Sequence, residues 1–74
     1  MKYWAYSEHH YEDVQIDLET EDFDEARHVV WQAVVNGQIS EGHVVVLHDN
    51  GQAGDEQYSC YRDSQGVVRE RIPV

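Results

Sequence analysis

Positive charge is scarce in this sequence. Its 74 residues include 5 Lys and Arg against 15 Asp and Glu, which gives a formal net charge of -10 at pH 7. A surface with this balance repels phosphate backbones, so the composition disfavours direct nucleic-acid binding. The same surface attracts a basic protein partner and accelerates the encounter with it.

Cysteine and long apolar runs are also nearly absent. Cys60 is the only cysteine, which excludes a disulfide within one chain and any zinc or iron–sulfur site built from several cysteines. No stretch approaches the roughly 20 apolar residues that span a bilayer, and the N-terminus lacks the apolar core of a signal peptide. We therefore expect a soluble, cytoplasmic protein without membrane contact, folded as a single domain over residues 1–74.

A sustained helical pattern occurs once, over residues 22–37. Apolar residues recur on one helical face at spacings of three, four and one, namely Phe23, Ala26, Val30, Ala33 and Val34. Asp22 is a good N-cap, and Glu25 stands where a capping box places a carboxylate. Gly37 supplies the stop, because glycine adopts the left-handed cap conformation readily. The pattern predicts a helix that packs by this face, with Val30 among the most buried residues.

Strand patterns surround the helix. The predicted strands cover residues 2–7, 14–19, 43–48, 57–62 and 67–72. In the second, Val14, Ile16 and Leu18 alternate with polar residues, which directs them to one face. Residues 40–42 are predicted as a loop, and the turn at residues 49–51 is expected to run on to Glu56. The order β-β-α-β-β-β predicts an α+β fold, with an antiparallel sheet of four to five strands and one helix packed on one face.

Candidate metal ligands and catalytic groups lack a recognisable spacing. His9 and His10 stand beside carboxylates, but adjacent histidines in a strand or loop point apart. His43 and His48 are five residues apart in a predicted strand and therefore face opposite sides. There is no nucleophile elbow, and Gly51–Gly54 lacks the lysine of a phosphate-binding loop. The sequence predicts no metal site, no cofactor and no enzymatic activity; weak metal binding by His9 and His10 is the alternative.

Acidic residues concentrate near the N-terminus. Residues 1–25 hold nine of the acids and one lysine. Asp17 and Glu19 are predicted to point outward from the second strand, about 7 Å apart. The predicted partner-binding residues are the acids of this band, namely Glu12, Asp13, Asp17, Glu19, Glu21, Asp22, Asp24 and Glu25. Two other interpretations remain open, because acids at a helix N-terminus complement its dipole and an acidic surface also keeps a protein soluble.

The alternating strand at residues 14–19, the acidic helix start at residues 22–26 and the closing hairpins give the chain a family resemblance. In size, acidity and element order it resembles small phage-encoded inhibitors, including anti-CRISPR proteins and other DNA mimics. The resemblance implies a stoichiometric inhibitor, without catalytic residues, that occupies a basic nucleic-acid channel of a defence complex in the host-cell cytoplasm. The alternative function is a small structural or regulatory homodimer that associates through its open sheet face or an edge strand.

Overall fold

The chain folds as one helix and five strands in the computed structural model, which describes residues 1–8 and 16–73. The elements are β1 (Lys2–Tyr6), β2 (Leu18–Thr20), α1 (Phe23–Val35), β3 (Glu41–Leu47), β4 (Ala53–Arg62) and β5 (Val68–Arg71). The strands form a single antiparallel sheet in the order β2-β1-β3-β4-β5. The predicted α+β class and element order are confirmed.

The core lies between α1 and one face of the sheet. Ala26, Val30 and Val34 of the helix are fully buried there, and Val44 and Tyr58 meet them from the sheet. The predicted apolar face is therefore confirmed, with Val30 at 0% exposure. The described helix is too short to span a membrane.

Caps at both ends fix the length of the helix. The Asp22 carboxylate accepts hydrogen bonds from the backbone N–H groups of Asp24 and Glu25, at 3.0 and 3.3 Å. The backbone N–H of Asp22 itself donates to Thr20 Oγ1 at 3.1 Å, so Thr20 accepts the hydrogen bond that the predicted capping box assigned to Glu25. At the other end, Gly37 has φ 77° and Gln38 donates to the Ala33 carbonyl, which is the predicted glycine stop.

Strand boundaries are where the sequence prediction is wrong. β2 consists of Leu18, Glu19 and Thr20, which pair with β1, so the predicted placement of Ile16 and Asp17 in this strand is wrong. Val14 and Gln15 lie outside the described residues. β3 begins at Glu41 and β4 at Ala53, inside segments predicted as loops. The two strands support each other in these segments, since cross-strand pairing overrides the weak strand propensity of Gly and acidic residues.

Gly42 shows how closely β3 approaches the helix. A Cβ atom at this position would lie 2.7 Å from Val30 Cγ1 and 3.2 Å from Ile39 Cδ1. Val30 cannot yield easily, because it is fully buried and a β-branched side chain in a helix has one preferred rotamer.

We expect Gly42→Ala to destabilise the fold by about 1–3 kcal/mol, the usual range for overpacking a core. The thermal unfolding midpoint, followed by circular dichroism, measures this loss. Ser40→Ala at a neighbouring exposed position is the control and should leave the midpoint nearly unchanged. An unchanged midpoint for Gly42→Ala would contradict the close packing of β3 on α1.

Candidate functional site

Six predicted partner-binding acids lie at one end of the described structure. They follow one another from the residue before β2, through β2 and the turn after it, to the first turn of α1, and all six are exposed. We call this surface the acidic edge, and its members are Asp17, Glu19, Glu21, Asp22, Asp24 and Glu25. β2 is the edge strand of the sheet, so no described strand covers its outer side. The remaining two predicted acids, Glu12 and Asp13, lie outside the described residues.

Local structure accounts for part of this acidity. Asp22 is the N-cap, and Asp24 and Glu25 stand in the first helical turn, where the helix dipole favours negative charge. Glu19 lies 3.7 Å from Lys2 Nζ, but both side chains are more than half exposed and such pairs contribute little. Within residues 1–8 and 16–73, Asp17 and Glu21 neither cap the helix nor form an ion pair, so the acidic edge carries more negative charge than the helix needs.

Three of the four arginines lie on β4 or β5, toward the sheet edge opposite β2. Arg69 pairs with Asp63 at 2.8 Å and Arg27 pairs with Glu70 at 3.7 Å, which places both ion pairs near β5. Arg62 reaches the C-terminal end of α1 and donates to the carbonyls of Val34 and Val35, at 2.8 and 3.3 Å. Because β5 and β2 are opposite edges of the sheet, Arg62 and Arg69 lie away from β2, whereas Arg27 lies one helical turn after Asp24 and pairs with Glu70.

The sheet face opposite α1 carries a short aromatic ladder. The side chains of β1 alternate, so Tyr3 packs on Phe23 of the helix while Trp4 and Tyr6 point away from it. The rings of Trp4 and Tyr6 stack with centroids 4.3 Å apart, and the ring of Tyr6 lies 5.3 Å from that of His43. No element of residues 1–8 or 16–73 covers this face, and Trp4 and Tyr6 remain partly exposed.

His43 is the centre of a polar cluster at the end of the ladder. Its Nδ1 lies 2.6 Å from Glu56 Oε1, and its Nε2 contacts Glu41 Oε2. The backbone N–H of Glu8 donates to the other Glu41 oxygen at 3.1 Å. Burial lowers the pKa of His43, but hydrogen bonds and charge from Glu56 and Glu41 outweigh it and raise that pKa above 6.5. Burial and the same carboxylates, together with Glu8, also raise the pKa of the Tyr6 hydroxyl.

Sequence reasoning missed this cluster because it depends on strand boundaries and register. Glu41 was predicted in a loop, yet it is the first residue of β3 and shares a face with His43 two residues later. Glu56 was predicted in a loop as well, but it lies in β4 opposite Val45. The sequence feature that indicates the cluster is the Glu-x-His spacing of Glu41 and His43 at the start of a β-branched run.

Comparisons of the chain with family models, with curated proteins and with solved structures give no match. A functional assignment therefore depends on the chemistry of the surfaces described above. The acidic edge offers charge for recognition of a basic partner, and the His43 cluster offers ligand atoms.

Proposed function

We propose that this chain is a non-enzymatic acidic module that binds a basic protein surface and blocks a nucleic-acid-binding complex, in the manner of an anti-CRISPR or DNA-mimic inhibitor. The observation that carries the proposal is the acidic edge, whose carboxylates are exposed, while three of the four arginines lie on β4 and β5, toward the opposite edge of the sheet. The net charge of -10 adds a long-range attraction toward any basic groove.

Side-chain charge is the means of recognition in this proposal. Carboxylates placed against Arg and Lys form charge-assisted hydrogen bonds, which are shorter and stronger than neutral ones. Addition of a partner strand to β2 is disfavoured, since short, charged edge strands resist such pairing. The complex should accordingly depend strongly on ionic strength, because the Debye length falls from about 10 Å at 0.1 M salt to about 3 Å at 1 M.

Capture from a nuclease-treated bacterial lysate tests the proposal. The immobilised chain is expected to retain a nucleic-acid-binding protein at about 0.1 M salt and to release it at about 1 M salt. Nuclease treatment matters because nucleic acid and the acidic edge would compete for the same groove. Capture of the same proteins by wild type and by an Asp17→Lys/Glu19→Lys variant, without salt dependence, would contradict the proposal.

The aromatic ladder favours a second candidate, a homodimer formed through the face opposite α1. Stacked, partly exposed Trp4 and Tyr6 are side chains of the kind enriched in interfaces. This candidate predicts that the chain sediments as a dimer at micromolar concentration and that Trp4→Lys shifts it to monomer. A wild-type chain that sediments as a monomer would contradict the homodimer. The same result would not affect the proposed inhibitor.

A further inference from the structure

The polar cluster around His43 has the composition of a divalent metal site. One ligand atom from each of Glu8, Glu41 and His43 lies within 4.8 Å of the other two. Zinc binds imidazole nitrogen and carboxylate oxygen at about 2.0–2.2 Å, so its ligands lie a little over 3 Å from one another. Small side-chain rotations would bring the three donors to that separation.

The backbone brings these three residues together from different parts of the chain. Glu41 and His43 project from the same face of β3, because side chains two residues apart on a strand share a face. Tyr6 pairs with His43 across the sheet, so the chain leaving β1 carries Glu8 past the start of β3. The hydrogen bond from the Glu8 backbone to Glu41 holds this crossing in place.

Glu56 orients the imidazole for a metal. It binds Nδ1 of His43 and thereby leaves Nε2 directed at Glu41. Histidine ligands of metals regularly carry a carboxylate on the nitrogen that faces away from the ion, where it fixes the tautomer and strengthens the ligand. The side chains of Glu41 and His43 are also held in place by the residues around them, since they are only 19% and 20% exposed.

We infer that Glu8, Glu41 and His43 form a zinc site, with His43 Nε2 and one carboxylate oxygen from each glutamate as ligands and Glu56 as the supporting carboxylate. A water molecule completes four-coordinate geometry. Mixed nitrogen and oxygen donors suit zinc, whereas calcium and magnesium prefer oxygen alone. The assignment is independent of the acidic edge, and it differs from the sequence-based expectation of no metal site.

Calorimetric titration of the chelator-treated chain with zinc chloride tests the site. We expect one ion per chain for wild type, and a loss of affinity of at least tenfold for Glu8→Gln and for His43→Gln. Glu56→Gln should weaken binding about 10- to 100-fold, as loss of a supporting partner does. Glu8 is exposed in the turn two residues after β1, so Glu8→Gln keeps the fold and remains informative if His43→Gln unfolds. Circular dichroism monitors folding of each variant.

Matched controls separate this site from other histidines and acids. Glu19→Gln and His28→Gln change exposed residues of the same types away from the cluster and should bind zinc as wild type does. The His9→Ala/His10→Ala variant should also retain wild-type affinity, as the sequence-based prediction of no specific site at these two histidines requires. Absence of stoichiometric binding, or a loss in His9→Ala/His10→Ala as large as in Glu8→Gln, would overturn the assignment.

Discussion

The double charge reversal Asp17→Lys/Glu19→Lys is expected to weaken binding of the captured partner at least tenfold, or about 1.4 kcal/mol. Both residues are exposed members of the acidic edge, and neither caps the helix. The substitution removes carboxylates that accept hydrogen bonds from a basic groove and places ammonium groups against it, so attraction becomes repulsion. Affinity is measured by calorimetry at two salt concentrations.

A control with the same change in net charge isolates the effect of position. Reversal of one acid and conversion of two neutral residues to lysine, as Asp55→Lys/Ser64→Lys/Gln65→Lys, also raises the net charge by four. These residues are exposed in β4 and in the turn to β5, on the opposite side of the sheet from β2. The neighbouring acid Glu56 is left unchanged in this control variant because its side chain contacts His43. Equal weakening by both variants would show that net charge matters and the acidic edge does not.

Val30→Asp is expected to unfold the domain. Val30 is fully buried on the face of α1 that packs against β3, and an unpaired carboxylate there loses several kcal/mol of hydration without a partner. A domain of this size has a net stability of only about 3–5 kcal/mol, so the loss matches or exceeds it. The measurement is the far-ultraviolet circular dichroism spectrum and its thermal transition.

Val35→Asp supplies the control for the same chemical change. Val35 is the last residue of α1 and is 38% exposed, so the added carboxylate stays hydrated. We expect a loss of about 1 kcal/mol or less, mainly from negative charge at the helix C-terminus. A folded Val30→Asp variant with the midpoint of wild type would contradict the assignment of the buried helix face.

The helix could be predicted because its signals are local. Asp22, Gly37 and the apolar spacing between them act within a few residues, and the structure confirms each. The starts of β3 and β4 could not be predicted, because Glu41 and Ala53 become strand residues through cross-strand pairing with Tyr61 and Leu47, which their own weak strand propensity does not indicate. The exposure of the acidic edge could be predicted from the composition, whereas the position of Arg62, Arg69 and Arg71 toward the opposite edge of the sheet required the strand order.

The His43 cluster illustrates the same limit at the level of a site. His43 was correctly predicted in a strand, but its neighbours Glu41 and Glu56 were predicted in loops. Two misplaced strand boundaries were enough to hide the cluster. The side chains of Glu41, His43 and Glu56 meet only because β3 and β4 begin earlier in the sequence than predicted. A spacing of two residues between a carboxylate and a histidine indicates a shared face only where the segment is a strand.

Displacement of nucleic acid from the captured partner tests the central claim most directly. Fluorescence anisotropy follows a labelled oligonucleotide bound to that partner while the chain is added. We expect wild type to release the oligonucleotide at about one chain per binding site, and Asp17→Lys/Glu19→Lys to require at least ten times more. An oligonucleotide that stays bound while the wild-type chain saturates the partner would contradict the claim that the acidic edge occupies a nucleic-acid channel.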